Sequence, residues 1–167
     1  MSLADDLASA LGDALRARQW RVATAESCTG GLVAGAITSV AGSSEWFERG
    51  FVTYSNDAKR EMLGVPPALI DAHGAVSEPV AAAMAAGALA ASAANCAVSV
   101  TGVAGPGGGT AVKPVGMVCF GFARRGAASR VETRRFAGDR TAVRSASVEV
   151  ALAGLIDLVS GSGDPRA

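Results

Sequence analysis

Aromatic residues are scarce in this chain: two Trp, one Tyr and five Phe among 167 residues. A surface that stacks nucleobases on a row of rings cannot be assembled from so few. An excess of one charge is missing too. Fifteen Lys+Arg balance fifteen Asp+Glu, so no long-range field draws in DNA, RNA or anionic lipid, and any bound anion needs a local site. There is a single histidine, His73, and only three widely separated cysteines, Cys28, Cys96 and Cys119. They offer neither metal-ligand spacing nor a disulfide framework. Long apolar runs are lacking as well: the Ala-rich stretch Val80–Ala94 is too short to span a bilayer and contains Ser92. The N-terminal segment carries Asp5 and Asp6 and does not read as a signal peptide. These absences predict a cytoplasmic protein with no metal or other cofactor, no nucleic-acid partner and no membrane association.

What the chain does have is a globular composition. Half of it is hydrophobic, rich in Ala, Val and Gly, and 18% is charged. The length suits one domain, expected over residues 1–160, with a polar, flexible tail over 161–167. Leu3, Leu7, Leu11 and Leu15 recur at helical spacing, predicting a helix over 3–18. A short strand over Arg21–Ala25 and a helix over Gly30–Ser39 follow. Phe47–Tyr54 reads as a strand, and Asn56 as the cap of a helix reaching Leu63. Val65-Pro66-Pro67 ends that helix, with only a short turn before Gly74. Ser77 starts a helix running to about Ala94. Cys96–Thr101 is a buried strand and Gly102–Pro114 a Gly/Pro loop. Val115–Ala123 and Arg130–Phe136 form an antiparallel hairpin about the turn Arg124–Ser129, and Gly138-Asp139 leads into a helix ending near Val159. Helices flanking a partly parallel sheet make a three-layer α/β/α sandwich with a mixed central sheet, of the α/β class.

Four places carry groups capable of chemistry. In Ala25-Glu26-Ser27-Cys28-Thr29-Gly30-Gly31 a strand ends in a tight turn that opens a helix. Ser27 is there either a helix cap or a nucleophile, with N–H groups near Thr29 and Gly30 as oxyanion donors. Gly30-Gly31 lets a substrate approach the backbone. Cys28 is a rival nucleophile without a local histidine partner. A base for Ser27 must come from elsewhere. His73 sits in a turn-like segment that reads as surface. Lysines are rare, only Lys59 and Lys113. Lys59 lies one helical turn beyond Tyr54, so both project near one sheet edge; a desolvated lysine can act as a base for serine, with the Tyr54 phenol orienting or relaying the proton. A solvated helix charge beside Asp57, Arg60 and Glu61 is the alternative. Third, the loop Thr101-Gly102-Val103-Ala104-Gly105-Pro106-Gly107-Gly108-Gly109-Thr110 follows a buried strand, where open α/β sheets bind ligands. It lacks the Gly-Lys-Ser/Thr ending of a P-loop and runs into a strand rather than a helix. Fourth, Asp139 reads as a helix cap and Arg140 as the first helical residue, either a phosphate clamp or an exposed arginine.

Taken together, Ala25–Gly31, Val52-Thr53-Tyr54-Ser55-Asn56-Asp57-Ala58-Lys59, Thr101–Thr110, Lys113-Pro114-Val115-Gly116 and Gly138-Asp139-Arg140 closely resemble the C-terminal domain of the competence/damage-inducible protein CinA. The likeness covers about residues 4–159. It implies a nicotinamide-nucleotide amidohydrolase that converts nicotinamide mononucleotide to nicotinate mononucleotide and ammonia. In that reading Ser27 is the nucleophile, Lys59 its base and Tyr54 an assisting hydroxyl. Thr29, Gly30, Gly31, Thr101, Gly102, Gly105 and Gly107 line the substrate site, and Arg140 faces the nucleotide phosphate. The resemblance also leans toward a homodimer, which the Ala-rich helices would support. A module that binds a nucleotide or a recombination protein without turnover is the alternative from another class.

Overall fold

The computed structural model describes residues 1–161. Five strands build one sheet: β1 (Val22–Glu26), β2 (Phe47–Val52), β3 (Cys96–Gly102), β4 (Met117–Arg124) and β5 (Arg130–Arg135). Their spatial order is β2-β1-β3-β4-β5. β1 is parallel to both its neighbours, β2 and β3, whereas β3–β4 and β4–β5 are antiparallel. Every residue of β1 is buried, as the continuous small and apolar run Val-Ala-Thr-Ala requires of a central parallel strand.

The helices form two layers. On one face lie α1 (Leu3–Arg18), α2 (Leu32–Thr38) and α6 (Arg140–Val159). Their side chains Leu11, Leu15, Ile37, Leu152 and Leu155 pack with Val98, Phe120 and Phe122 of the sheet. On the other lie α3 (Asn56–Leu63), α4 (Pro67–His73) and α5 (Glu78–Ala90), packed on Ala23, Ala25, Ala97 and Ala123. The alternation of side chains along each strand separates the two cores. One face is filled by large residues, the other by alanine. The alanine face lets α5 come unusually close: a Cβ on Gly121 of β4 would stand 2.3 Å from the Ala81 carbonyl oxygen. An Ala- and Gly-rich, aromatic-poor composition is what such close packing uses.

The expected three-layer sandwich and its mixed sheet are present. The expected element order lacked one helix. α4 follows the breaker Val65-Pro66-Pro67 directly, because Pro67 occupies its first position, where a missing N–H costs no hydrogen bond. Several ends also shift. The helix expected from Gly30 starts at Leu32, the one expected to reach Ala94 stops at Ala90, and the strand expected to reach Tyr54 stops at Val52. Apart from Gly161, the expected tail over 161–167 lies outside the described residues. Among the described residues no helix is long and apolar enough to cross a membrane.

Register places the site. Glu26 of β1 pairs with Val52 of β2 on one side and Val100 of β3 on the other. The next residue of each strand or its continuation, Ser27, Thr53 and Thr101, therefore emerges at the same carboxyl edge of the parallel strands.

Candidate active site

Ser27 is the first residue past β1. Its N–H donates to the Val100 carbonyl at 2.9 Å, and the Gly30 N–H donates back to the Ser27 carbonyl at 3.0 Å, closing the turn. Gly30 and Gly31 adopt left-handed φ angles of 57° and 107°, and Gly31 caps α2. A side chain is disfavoured at both positions, which explains the Gly-Gly pair. Glu26, 1% exposed, braces the turn from beneath. Its carboxylate accepts from the Thr29 hydroxyl at 2.6 Å and from the N–H groups of Val33 and Ala34 at 2.9 and 3.0 Å. Those N–H groups belong to the first turn of α2, where a negative charge is favoured.

Lys59 arrives from the opposite helical layer. Ser55 caps α3, its hydroxyl accepting from Ala58 N–H at 3.0 Å. Lys59 then points inward and is 1% exposed. Its Nζ lies 3.1 Å from Ser27 Oγ, 3.0 Å from the Thr53 carbonyl and 3.4 Å from the Tyr54 carbonyl. No carboxylate lies within ion-pair distance of it among the described residues. Burial without a counter-charge disfavours the ammonium and pushes the lysine pKa below its ordinary value. A lysine whose ammonium is disfavoured in this way faces a serine hydroxyl, which is the arrangement a general base needs. The alternative reading of Lys59 as a solvated helix charge is excluded by its burial.

Cys28 also borders the site, but burial pushes its thiol up to about 11, so the thiol rather than the nucleophilic thiolate prevails near neutrality. His73 is exposed at the end of α4, and its backbone carbonyl accepts from Lys113.

Ser27 and Lys59 open onto a cavity of about 330 Å³, a size suited to a small ligand. Thr101, Gly102, Gly105 and Gly107 line it, as does Arg140. The Thr101 hydroxyl donates to the Ala75 carbonyl at 2.9 Å, tying the β3 end to the segment before α5. Arg140 is the first residue of α6, behind the Asp139 cap, whose carboxylate accepts from Ala142 N–H at 2.9 Å. Its guanidinium donates to the Gly105 carbonyl at 2.8 Å and to the Tyr54 hydroxyl at 2.9 Å.

Two groups of expected residues stand apart from the contact between Ser27 Oγ and Lys59 Nζ. The Tyr54 phenol is 60% exposed and engages Arg140; the part of Tyr54 that reaches the Ser27–Lys59 pair is its main-chain carbonyl. Thr29, Gly30 and Gly31 do not line the cavity. The Thr29 hydroxyl is committed to Glu26, and the Gly30 N–H to the Ser27 carbonyl, so neither is available to a substrate. Two residues had no role in the sequence reading and have one here. Glu26 braces the turn, as its place seven and eight residues before Val33 and Ala34 allows. Arg144, one helical turn after Arg140, donates from Nε to the Cys28 carbonyl at 3.1 Å and from Nη2 to the Thr29 carbonyl at 3.4 Å.

Fold and site together define an α/β/α sandwich protein with a desolvated serine–lysine pair at the carboxyl edge of its parallel strands. The chain belongs to the CinA C-terminal domain family, a model of which matches residues 4–159. It is 56% identical over 139 residues to the nicotinamide-nucleotide amidohydrolase PncC of Enterobacter agglomerans, covering 83% of this chain and 85% of that one. It is 55% identical over 146 residues to the protein of the same name from Escherichia coli K12, covering 87% and 88%. Among solved structures, the competence/damage inducible protein CihA of Agrobacterium tumefaciens superposes with a TM-score of 0.93 at 48% identity, over 95% of this chain and 96% of that one.

Proposed function

We propose that this chain is a nicotinamide-nucleotide amidohydrolase, releasing ammonia from the carboxamide of nicotinamide mononucleotide. The observation that carries the reading is the 3.1 Å approach of a buried, uncompensated Lys59 amine to Ser27 Oγ. Relatives named for that activity, more than half identical over most of both chains, support it. A module that merely binds a nucleotide has no use for a buried amine held against a hydroxyl, so that alternative is not favoured.

An amide is a poor electrophile, and its hydrolysis needs an activated nucleophile. In this scheme the Lys59 amine takes the Ser27 proton as Oγ attacks the carboxamide carbon. The C–N bond of the tetrahedral adduct then breaks, the lysine ammonium returning the proton to the leaving nitrogen, which departs as ammonia. Water, deprotonated by the same amine, attacks the resulting Ser27 ester; the C–Oγ bond breaks, the proton returns to Ser27, and nicotinate mononucleotide leaves. The Thr53 and Tyr54 carbonyls accept the N–H bonds of Lys59 and aim its remaining lone pair or proton at Ser27. Arg140 spends two donors on Gly105 and Tyr54, and the remainder of its fork suits the single phosphate of a mononucleotide. The Gly-rich loop shapes the space between the two ends.

A homodimer in the cytoplasm is the setting we propose for this activity, the dimer on the Ala-rich helices and the compartment on the nucleotide substrate. Incubation with nicotinamide mononucleotide and measurement of ammonia tests the reaction directly. Release well above that of Ser27→Ala is expected, and equal release by the two proteins refutes the assignment.

A further inference from the structure

One edge of the sheet is open. β5 ends the strand order and has no neighbour beyond it. Its main-chain groups alternate in direction. Phe136 N–H donates to the Gly116 carbonyl at 2.9 Å, so the even-numbered residues of β5 turn their N–H and C=O groups toward β4. Those of Val131, Thr133 and Arg135 turn outward, and they meet no partner among the described residues. Such a row of unpaired groups is a template for another strand, and proteins commonly blunt it with lysine or proline. β5 reads Arg-Val-Glu-Thr-Arg-Arg and holds neither.

The second observation is the order of its charges. Glu132 and Arg134 stand on one face of β5, Arg134 Nε lying 2.9 Å from Glu132 Oε2, and both side chains keep part of their surface exposed. They border a groove with Val150, Ala153 and Gly154 of α6. The last two are small and leave room for a neighbour. Suppose a second copy of β5 lies antiparallel along the open edge, about a twofold axis. Outward residues must then meet outward residues for the ladder to form. Centred on Glu132, the pairing sets glutamate against glutamate and Arg130 against Arg134. Centred on Arg134 or Arg135, it sets arginine against its own copy. Centred on Val131, it runs off the strand at Ser129. Centred on Thr133, it matches Thr133 with Thr133 and, twice, Val131 with Arg135: three pairs with two hydrogen bonds each. The same register sets Glu132 of each copy against Arg134 of the other. Those are the non-hydrogen-bonded positions, where facing side chains come closest.

We infer that β5 is a dimer interface whose occupant is the β5 of a second copy, paired antiparallel about Thr133 with reciprocal Glu132–Arg134 contacts. Such pairing uses up the open β5 edge of both copies and therefore closes at two. No residue of β5 lines the Ser27–Lys59 cavity, so both cavities stay open in the pair. The inference rests on the homodimer reading above and assigns it a face. Sedimentation of the full chain over a range of concentrations tests it, with Glu132→Arg and Arg134→Glu as variants. Either change turns both cross-strand pairs into like-charge pairs and should raise the dimer dissociation constant about 10- to 100-fold. Mixing the two variants should restore dimers, because one strand then offers only positive charge at these positions and the other only negative. That recovery cannot come from repair within a chain, since each chain still lacks its own Glu132–Arg134 pair. It also shows that neither variant has merely failed to fold. A wild-type dimer that both variants leave intact, or variants that stay monomeric when mixed, overturn the inference and leave the homodimer reading standing. Loss in Glu132→Arg alone moves the axis to Val131, where Arg130 would face Glu132, and overturns the Thr133 register. A monomeric wild type overturns the homodimer reading itself.

Discussion

The turn that carries Ser27 and the loop that follows β3 meet across one cavity, yet they are held by different means. The Ser27 turn is clamped by charged and polar side chains from three directions: Glu26 below, Arg144 from α6 and Lys59 from α3. The loop over residues 103–116 leans on backbone pairs, such as Gly116 N–H to Val103 and Thr110 N–H to Lys113, and on single side-chain ties. The two lysines show the same contrast. Lys59 is buried and faces a hydroxyl; Lys113 sits part-exposed on the loop and donates to the His73 carbonyl. Chemistry that requires fixed sub-ångström geometry sits on the clamped side. The side that must admit and fit a ligand is more lightly tied.

The sharpest way to break this contrast is to remove the clamped pair. Ser27→Ala should abolish ammonia release, and Lys59→Ala should lower kcat by about 10²–10⁴-fold, the usual worth of a general base. Cys28→Ala should retain most activity; an inactive Cys28→Ala beside an active Ser27→Ala would move the nucleophile by one residue. The ionisation of Lys59 gives the same pair a pH signature. Only the free amine accepts the serine proton, so kcat/KM should rise with pH through a midpoint below the ordinary lysine value. Stability follows with a definite sign. The folded state binds the lysine proton less readily than the unfolded chain, so unfolding free energy should climb as pH rises from the folded pKa toward the unfolded one, about 10.4. In Lys59→Met that climb should vanish from urea titrations run across this range.

Arg140 stands between the two regions. Arg140→Ala should raise KM for the mononucleotide about 10- to 100-fold, the worth of a charge-assisted contact, and leave weak activity on a phosphate-free analogue nearly intact. Equal losses on both substrates would assign Arg140 to the Tyr54–Gly105 bridge rather than to phosphate. Glu26→Gln should cost about 1–3 kcal/mol in urea unfolding, because an amide nitrogen would face donors that now meet a carboxylate oxygen. The smallest effect belongs to the loop. Lys113→Ala should change kcat/KM by no more than about threefold, the scale of a single net hydrogen bond between part-exposed groups, and a large loss would show the loop to be clamped after all.

The layered fold was legible because burial is periodic here. The Leu3–Leu15 spacing, the continuous Val22–Ala25 and Cys96–Val100 runs and the hairpin turn at 124–129 each follow from composition and period alone. α4 was not, because a double proline reads as a stop when its second ring may also open a helix. The site was legible in its residue types and partly hidden in its contacts. Ser27, Lys59, Thr101 and Arg140 stand at strand ends and helix starts, which the sequence marks. That Tyr54 contributes its carbonyl and sends its phenol to Arg140 depends on how the chain turns between Val52 and Ser55, which no residue type encodes. Glu26 and Arg144 were hidden for another reason: apart from the Thr29 hydroxyl that Glu26 accepts, both act on backbone groups, which carry no side-chain signature.

The β4–β5 turn lies at the end of the sheet away from the cavity, since both its strands run antiparallel to the parallel set or back from it. Its residues Gly126–Ser129 are exposed, while Leu3 of the first helix and Asp157 of the last border one surface groove. The molecule therefore has a natural seam: a chain reopened at that turn and rejoined from last helix to first would keep the order of every strand in the sheet. Such a rearranged protein would carry its new ends, or an affinity handle or fluorophore, on the side remote from the ligand.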